Sequence, residues 1–275
     1  AVLLAAGRGT RLAPLTLGTP KCLVTIGGRA LIDLQLEALA AVGIHDITIV
    51  AGFMAKAVIS HVGARARVVV NHDYVSTGSI VSLALAAPHL RGHAFLLQNA
   101  DTLYPTDLLR RFVTAPRENA CLVHAPGIYR PGEYHVQVAQ GRIVSYDRDL
   151  PPEHAVGESA QLLRVGAAAS APFLDRLDDL VSTRGPAGFP NQAYDVLMQS
   201  GGLWPVFTAG LPWWEIDSAD DLERCTREHR AHVTSLAPAP PASRALPGIG
   251  LARRVASLKW GGFRWVPPTI APLAR

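Results

Sequence analysis

The chain has 275 residues, 49% hydrophobic and 17% charged, a balance that excludes wholesale disorder and suits one large α/β domain or two small ones. No apolar run reaches the roughly 18 residues that a spanning helix needs, so no transmembrane segment is expected. The net charge is +4, but removing the six basic residues of 236–275 leaves −2 on residues 1–235, so the basic character belongs to the tail and nucleic acid is not an expected partner.

An apolar strand pattern over 1–5 opens the chain and runs into the loop Ala5-Ala6-Gly7-Arg8-Gly9-Thr10-Arg11-Leu12. Residue 1 already lies inside a strand, so further residues are expected before it. The small side chains let a ligand approach the backbone. Successive N–H groups in such a turn form an anion-binding concavity. Arg8, Arg11 and Lys21 add positive charge, and the whole suits a nucleoside triphosphate. Leu4, Ala5, Ala6, Gly7, Gly9 and Thr10 are the nucleotide-binding candidates. The loop is not a Walker A, because no Gly-Lys-Ser/Thr closes it. It is not the dinucleotide fingerprint either, because Leu12 stands where the third glycine belongs.

Further strands are expected at 46–50, 68–71, 94–98 and 120–124, alternating with helices at 30–42, 54–62, 79–87 and 105–112. Such alternation implies crossovers and a mostly parallel, doubly wound, Rossmann-like sheet with helices on both faces. Ligands then sit at the carboxyl ends of the strands, where the opening loop and Asn99-Ala100-Asp101 fall. Between the third strand and its helix lies Asn71-His72-Asp73-Tyr74-Val75-Ser76-Thr77-Gly78-Ser79, with Ser82 one turn on. Thr77, Gly78, Ser79 and Ser82 offer hydroxyls and bare backbone to a base edge. Ser79 as a plain helix cap is the structural alternative.

After about residue 126 the pattern changes to a smaller mixed β/α insertion reaching about residue 212. A hairpin is expected from strands 134–138 and 142–146 around Gln140-Gly141. A strand at 161–168, helices at 171–181 and 191–199, strands at 203–208 and 213–216 and a helix at 220–232 follow. The domain is set at 1–235. Residues 236–243 read as a Pro/Ala-rich linker, and 251–258 as a short basic helix. Three scattered cysteines (Cys22, Cys121, Cys225) lack metal-ligand spacing, which fits reduced thiols in a cytoplasm.

Chemistry on a bound triphosphate needs a divalent cation, and magnesium takes one or two carboxylates plus phosphate oxygens and water. Asp101 and Asp217 each follow an apolar strand and are the candidates. Asp217 also precedes Ser218-Ala219-Asp220-Asp221, so a capping role stays open.

The run Leu4-Ala5-Ala6-Gly7-x-Gly9-Thr10-Arg11-Leu12, with Pro20-Lys21 after it, resembles the signature of the sugar-nucleotidyltransferase superfamily. The resemblance covers roughly residues 1–230. It implies that the loop wraps the triphosphate, that Arg11 and Lys21 bind phosphate oxygens, and that Asp101 and Asp217 hold Mg2+. Asn99 is carried among the nucleotide-binding residues. Hexose-1-phosphate thymidylyl- and uridylyltransferases usually carry Pro-x-Gly-x-Ala near the third strand. The stretch from Asn71 through Tyr74 and Thr77 to Ser82 is more similar to phosphocholine and 2-aminoethylphosphonate cytidylyltransferases. That implies CTP and a small phosphate or phosphonate acceptor, which the insertion binds. An amine or quaternary ammonium on the acceptor wants carboxylates or aromatic faces. Tyr129, Glu158 (in Gly157-Glu158-Ser159), Trp214 and Glu215 are the acceptor-binding candidates, with Tyr134, Trp213, Glu133 and Asp147 as further options. Taken alone, each aromatic reads first as a core residue, because large aromatics are mostly buried. Arg164 stands near where sugar-1-phosphate enzymes often use a lysine.

Two alternatives stay open: a sugar-1-phosphate thymidylyl-, uridylyl- or guanylyltransferase, and a non-catalytic nucleotide sensor whose basic tail docks a partner or a membrane surface. A homodimer is also left open.

Overall fold

The computed structural model describes residues 1–199 and 201–236. In its first half, β1 (Val2–Ala5) leads to the ribbon β2 (Thr25–Ile26) and β3 (Arg29–Ala30). Then come α1 (Leu31–Ala41), β4 (Thr48–Ala51), α2 (Ala55–Val62), β5 (Arg67–Val70), α3 (Ser79–Ala86), β6 (Phe95–Asn99), β7 (Thr102–Leu103), α4 (Thr106–Val113) and β8 (Ala120–His124). The second half holds β9 (His135–Ala139), β10 (Arg142–Asp147), β11 (Gly157–Val165), α5 (Ala167–Arg184), α6 (Tyr194–Gln199), β12 (Trp204–Phe207), β13 (Trp214–Glu215) and α7 (Ala219–Leu236).

Strands β1, β4 and β6 are near-continuous apolar runs, as strands buried on both faces must be. They pair in parallel in the order β5-β4-β1-β6. Successive residues of β1 serve opposite faces. Val2 packs with Ile80 and Leu83 of α3 and Phe173 of α5. Leu3 packs with Ile32 and Leu39 of α1 and Phe112 of α4. The architecture is therefore the expected Rossmann-like sheet between two helical layers. A third apolar cluster, with Leu12, Val24, Leu31, Trp214 and Ile216, joins the opening loop to β13 and α7.

Strand β11 connects this parallel half to the rest. One edge pairs with β8. The other pairs with β9 at Gly157 and Glu158, then with β6 from Leu162 to Val165. The changeover falls at Gln161, whose φ of 57° is left-handed, and the β8 register shifts between Ser159 and Leu163. This is a bulge, and it re-aims the side chain it carries.

The expected strand at 161–168 thus begins earlier, at Gly157, and ends at Val165. The polar trio Gly157-Glu158-Ser159 hides its start, because it is buried for pairing and not for apolarity. Helix α5 begins at Ala167 and runs past Pro172, not from 171. A proline inside a helix costs about 3 kcal/mol. Here Ala169, Phe173, Leu174 and Leu177 are buried on either side of it, which offsets that cost. The expected helix 191–199 is split into a 3-10 turn at Pro190–Ala193 and α6. All three cysteines are free and buried. Among the described residues no helix is long and apolar enough to cross a membrane. Residues 1–236 form one compact unit. The linker expected at 236–243, past its first residue, and the helix expected at 251–258 lie outside the described residues.

Candidate active site

The opening loop folds so that Lys21 can cross behind it. Gly9 adopts φ 61°, and a Cβ there would lie 3.0 Å from the Lys21 Cβ. Thr16 Oγ1 donates to the Gly9 carbonyl at 2.7 Å, and Leu12 is 1% exposed. These two anchors hold the loop while its small residues face the cavity. Lys21 Nζ donates to Asp101 Oδ2 at 2.8 Å and Asp217 Oδ1 at 2.6 Å. Arg11 Nη1 lies 2.8 Å from Asp217 Oδ2 and is largely exposed.

Both aspartates are placed by backbone. Asp101 follows β6, and the Asp101 carbonyl accepts from Ile216 N at 2.9 Å. The two-stranded β7–β13 ribbon pairs Thr102 with Glu215 and Leu103 with Trp214. Buried Gln35 of α1 donates to the Thr102 and Asn99 carbonyls at 2.6 and 3.1 Å and so ties down the turn that carries Asp101. Asp217 is not the cap of α7. Ser218 Oγ accepts from Asp221 N, and Asp221 Oδ2 accepts from Ser218 N and Asp217 N. That reciprocal capping leaves the Asp217 carboxylate to the site.

Glu215 completes the cluster: one oxygen from each of Asp101, Glu215 and Asp217 lies within 4.8 Å of the others. Burial, and then the Asp101 charge, push the Glu215 carboxyl up to about 7. Burial acts to lower the Lys21 pKa, yet Asp101 and Asp217 outweigh it and hold the ammonium above its ordinary value. Asp101 Oδ1 is buried with no hydrogen-bond partner. A crowded carboxylate set with an orphaned oxygen, open to the Gly-rich opening loop, fits a hard divalent cation.

Gln161 links this cluster to the central strand. Its Nε2 donates to Glu215 Oε2 at 2.6 Å, and its Oε1 accepts from Asn99 Nδ2 at 2.7 Å. A non-glycine residue in the left-handed region stores strain of order 1 kcal/mol or more, and here that backbone aims the carboxamide.

The second wall is the start of α3. Asn71, 2% exposed, accepts from Asp73 N and donates to Thr77 Oγ1 and Ser82 Oγ at 3.0 and 3.1 Å. The N-cap is Gly78, not Ser79, which is the first helical residue. Gly78 N donates to the Pro186 carbonyl at 2.7 Å, and a Cβ on Gly78 would lie 2.1 Å from the Gly188 carbonyl oxygen. Only glycine lets the segment before α6 pack onto this helix end.

One cavity of about 620 Å³ joins these parts. It is lined by Leu4, Ala5, Ala6, Gly7, Gly9, Thr10, Arg11, Lys21, Thr77, Gly78, Ser79, Ser82, Asn99, Asp101, Glu215 and Asp217, all expected from sequence. Glu215 was expected on the acceptor side and instead sits in the carboxylate cluster. Three other acceptor candidates are not in the lining. Trp214 is 3% exposed, packs in the cluster around Leu12 and donates to Glu228 at 2.9 Å; alternation along β13 sends it away from Glu215. Glu158 is 2% exposed and paired with Arg130, whose Nε donates at 2.8 Å. Tyr129 stacks on His135 at 3.9 Å and donates to the Leu150 carbonyl at 3.0 Å. Trp213 stacks on Tyr104 instead, and Arg164 donates to carbonyls at the end of α4.

Tyr134 and Glu133 do line the cavity. Gln161, Tyr74, Tyr146, Arg148, Asn191 and Tyr194 line it too and were missed. Tyr134 stacks on Tyr146 at 5.1 Å, and Tyr146 meets Tyr194 edge-on at 4.9 Å. The alternation of the expected hairpin was the available signal for Tyr146. Gln161 carries none, because its role depends on a bulge.

Similar proteins share this frame. The chain is 29% identical over 234 residues to the CMP-5'-(3-aminopropyl)phosphonate synthase of Streptomyces rubellomurinus, covering 80% of this chain and 37% of that protein. It is 27% identical over 233 residues to the mannose-1-phosphate guanyltransferase of Candida albicans, covering 80% of this chain and 62% of that one. The chain therefore spans less than two thirds of the length of these curated relatives. The solved CTP:phosphocholine cytidylyltransferase of Streptococcus pneumoniae superposes with a TM-score of 0.66 at 20% identity, over 83% of this chain and 97% of that one. Residues 1–180 of the 275, more than half of the chain, match the MobA-like NTP transferase domain, and the chain therefore belongs to the MobA-like NTP transferase domain family.

Proposed function

We propose that this domain is a nucleotidyltransferase that moves CMP from CTP to a small acceptor ending in phosphate or phosphonate. The observation that carries the reading is Lys21 held between Asp101 and Asp217, with Glu215 beside them, at the mouth of the Gly-rich loop. Asp101 and Asp217, with Glu215 next to them, would hold Mg2+. Bound there, it supplies positive charge against the phosphate oxygens. The loop N–H groups cradle the triphosphate. Arg11 and Lys21 offset the charge that grows on the leaving pyrophosphate. An acceptor oxygen attacks the α-phosphorus in line, a new P–O bond forms, and the bond to the bridging oxygen breaks. No covalent link to the protein is needed, and the residues act by positioning and charge.

The base is taken to lie against Thr77, Ser79 and Ser82, whose hydroxyls line the wall that Asn71 braces. Cytosine is favoured by the sequence around Asn71 and by the relative named for a CMP-phosphonate product. A sugar-1-phosphate nucleotidyltransferase is the second reading, favoured by the relative named for mannose-1-phosphate.

Pyrophosphate release measured for four nucleoside triphosphates against 2-aminoethylphosphonate, phosphocholine, glucose-1-phosphate and mannose-1-phosphate, with and without Mg2+, separates these readings. The expected result is Mg2+-dependent release with CTP and a phosphonate or phosphocholine. Release confined to a sugar phosphate with GTP, UTP or dTTP overturns the cytidylyl reading. Nucleotide binding with no release from any pair supports a sensor.

A further inference from the structure

Among the described residues, three cationic side chains line the cavity: Arg11, Lys21 and Arg148. Arg11 and Lys21 are paired with Asp217 and Asp101. Arg148 has no ion-pair partner among the described residues. Neighbouring Asp147 makes no ion pair with it; its Oδ1 accepts from Asp149 N at 3.0 Å. The Arg148 guanidinium lies instead over the Tyr134 ring, 4.4 Å from its centroid.

The register explains this position. Tyr146 pairs with Val136 and Asp147 with His135, so the next residues along the two chains bring Arg148 opposite Tyr134. Strand β9 takes the same edge of β11 as β6, at Gly157 and Glu158 where β6 takes Leu162 to Val165, so the β9–β10 ribbon lies past the carboxyl end of β6, beyond Asn99. Arg148 reaches the cavity from this ribbon, whereas Arg11 and Lys21 reach it from the segment that follows β1.

Its chemistry is that of an anion receptor. Among the described residues its N–H groups make no hydrogen bond, and a free guanidinium fork matches a carboxylate bidentately. The contact with the Tyr134 ring argues against a trimethylammonium at this wall. Such a cation needs an uncovered ring face, and the Tyr134 face already carries positive charge.

We propose that Arg148 is a specificity residue for an acceptor that bears a carboxylate in addition to its phosphate or phosphonate. The inference rests on the nucleotidyltransferase reading and narrows its acceptor. Tyr134, stacked on Tyr146, supports the guanidinium at the cavity lining.

The test uses acceptor pairs that differ by one carboxylate: 2-aminoethylphosphonate against 2-amino-3-phosphonopropanoate, and phosphoethanolamine against O-phosphoserine. The full chain is expected to favour the carboxylate member of at least one pair by about tenfold or more in kcat/KM, chiefly through KM, as for a lost charged hydrogen bond. Arg148→Met removes that preference, leaves the des-carboxyl member within about twofold, and leaves KM for CTP unchanged; Arg148→Lys retains part of the preference. The side chain is exposed, and an unchanged thermal midpoint confirms folding. Equal weakening of both members by Arg148→Met overturns the proposal, because Arg148 then holds the phosphoryl group. Turnover with no preference for the carboxylate in the wild type overturns it too. No turnover with any acceptor and nucleotide overturns the underlying reading instead.

Discussion

Around β1 and β6 the charged groups of the cavity are paired with one another: Lys21 with Asp101 and Asp217, Arg11 with Asp217. Along the β9–β10 ribbon, Arg148 lines the same cavity with no ion-pair partner among the described residues, laid on a stack of tyrosines. The cations of the first region, Arg11 and Lys21, are already held by its aspartates, so it is preorganised around fixed charges. In the second, Arg148 and Glu133 line the cavity with no ion pair between them among the described residues, so on the proposed reading they are left to meet the ligand. On that reading, reaction type belongs to the first region and acceptor choice to the second.

The strongest way to break that division is at Lys21. Lys21→Ala leaves Asp101, Asp217 and Glu215 facing one another without their shared cation. Pyrophosphate release is expected to fall by about a thousandfold, as when one stabilising donor is removed from a reacting site. KM for the acceptor should hardly move. Steady-state kinetics with both substrates varied measures this; a loss confined to acceptor KM would erase the boundary between the regions.

Glu215 gives the next largest effect, read as stability. Its pKa is raised from 4.5 to about 7 by burial and by Asp101, so the folded state binds the proton more tightly than the unfolded state. The sign follows from linkage. In chelator, the wild type is favoured below about pH 4.5 relative to alkaline pH, and that advantage is lost as pH rises through 7. A Glu215→Gln variant has no such proton to lose. It should melt above the wild type at pH 8, by the equivalent of a few kcal/mol at most, and close to it at pH 5. Parallel melting curves at both pH values would contradict the buried-carboxylate account.

Gln161 joins the two regions, because β11 passes from β9 to β6 at this residue. Gln161→Gly relieves the left-handed backbone by about 1 kcal/mol and removes the carboxamide between Asn99 and Glu215. Activity is expected to drop about tenfold, the scale of one hydrogen bond to a charged group, while the denaturation midpoint holds or rises. Loss of both together would mean that the bulge serves the fold and not the site.

How much of this was readable in advance follows from how local each part is. The phosphate loop, Lys21 and Asp101 sit in short stretches whose residue types state their chemistry. The Asn71–Ser82 wall lies within one strand-to-helix connection. The acceptor end depends on register. The β9–β10 pairing shifts between Ile143 and Ser145, which decides what stands opposite Tyr134. The bulge at Gln161 decides what reaches Glu215. On β13, alternation sends one of Trp214 and Glu215 to the core and the other to the site, and only pairing with β7 shows which. Pattern alone therefore named the dipeptide without separating its core residue from the one that lines the cavity.

Tyr129 offers the smallest and most selective check on where the acceptor end lies. From sequence it was a candidate wall, but its hydroxyl is spent on the Leu150 carbonyl and its ring on His135, outside the cavity lining. Tyr129→Phe keeps the ring and deletes one hydrogen bond, so chemical denaturation should register a loss of about 1 kcal/mol. Kinetics should not change for any acceptor. Tyr134→Phe is the paired control: it also keeps the ring, but it acts on the surface that carries Arg148, so any effect there belongs to acceptor KM. If Tyr129→Phe moved acceptor KM and Tyr134→Phe did not, the acceptor end would lie on the other side of the β9–β10 ribbon, and Arg148 would no longer face the substrate.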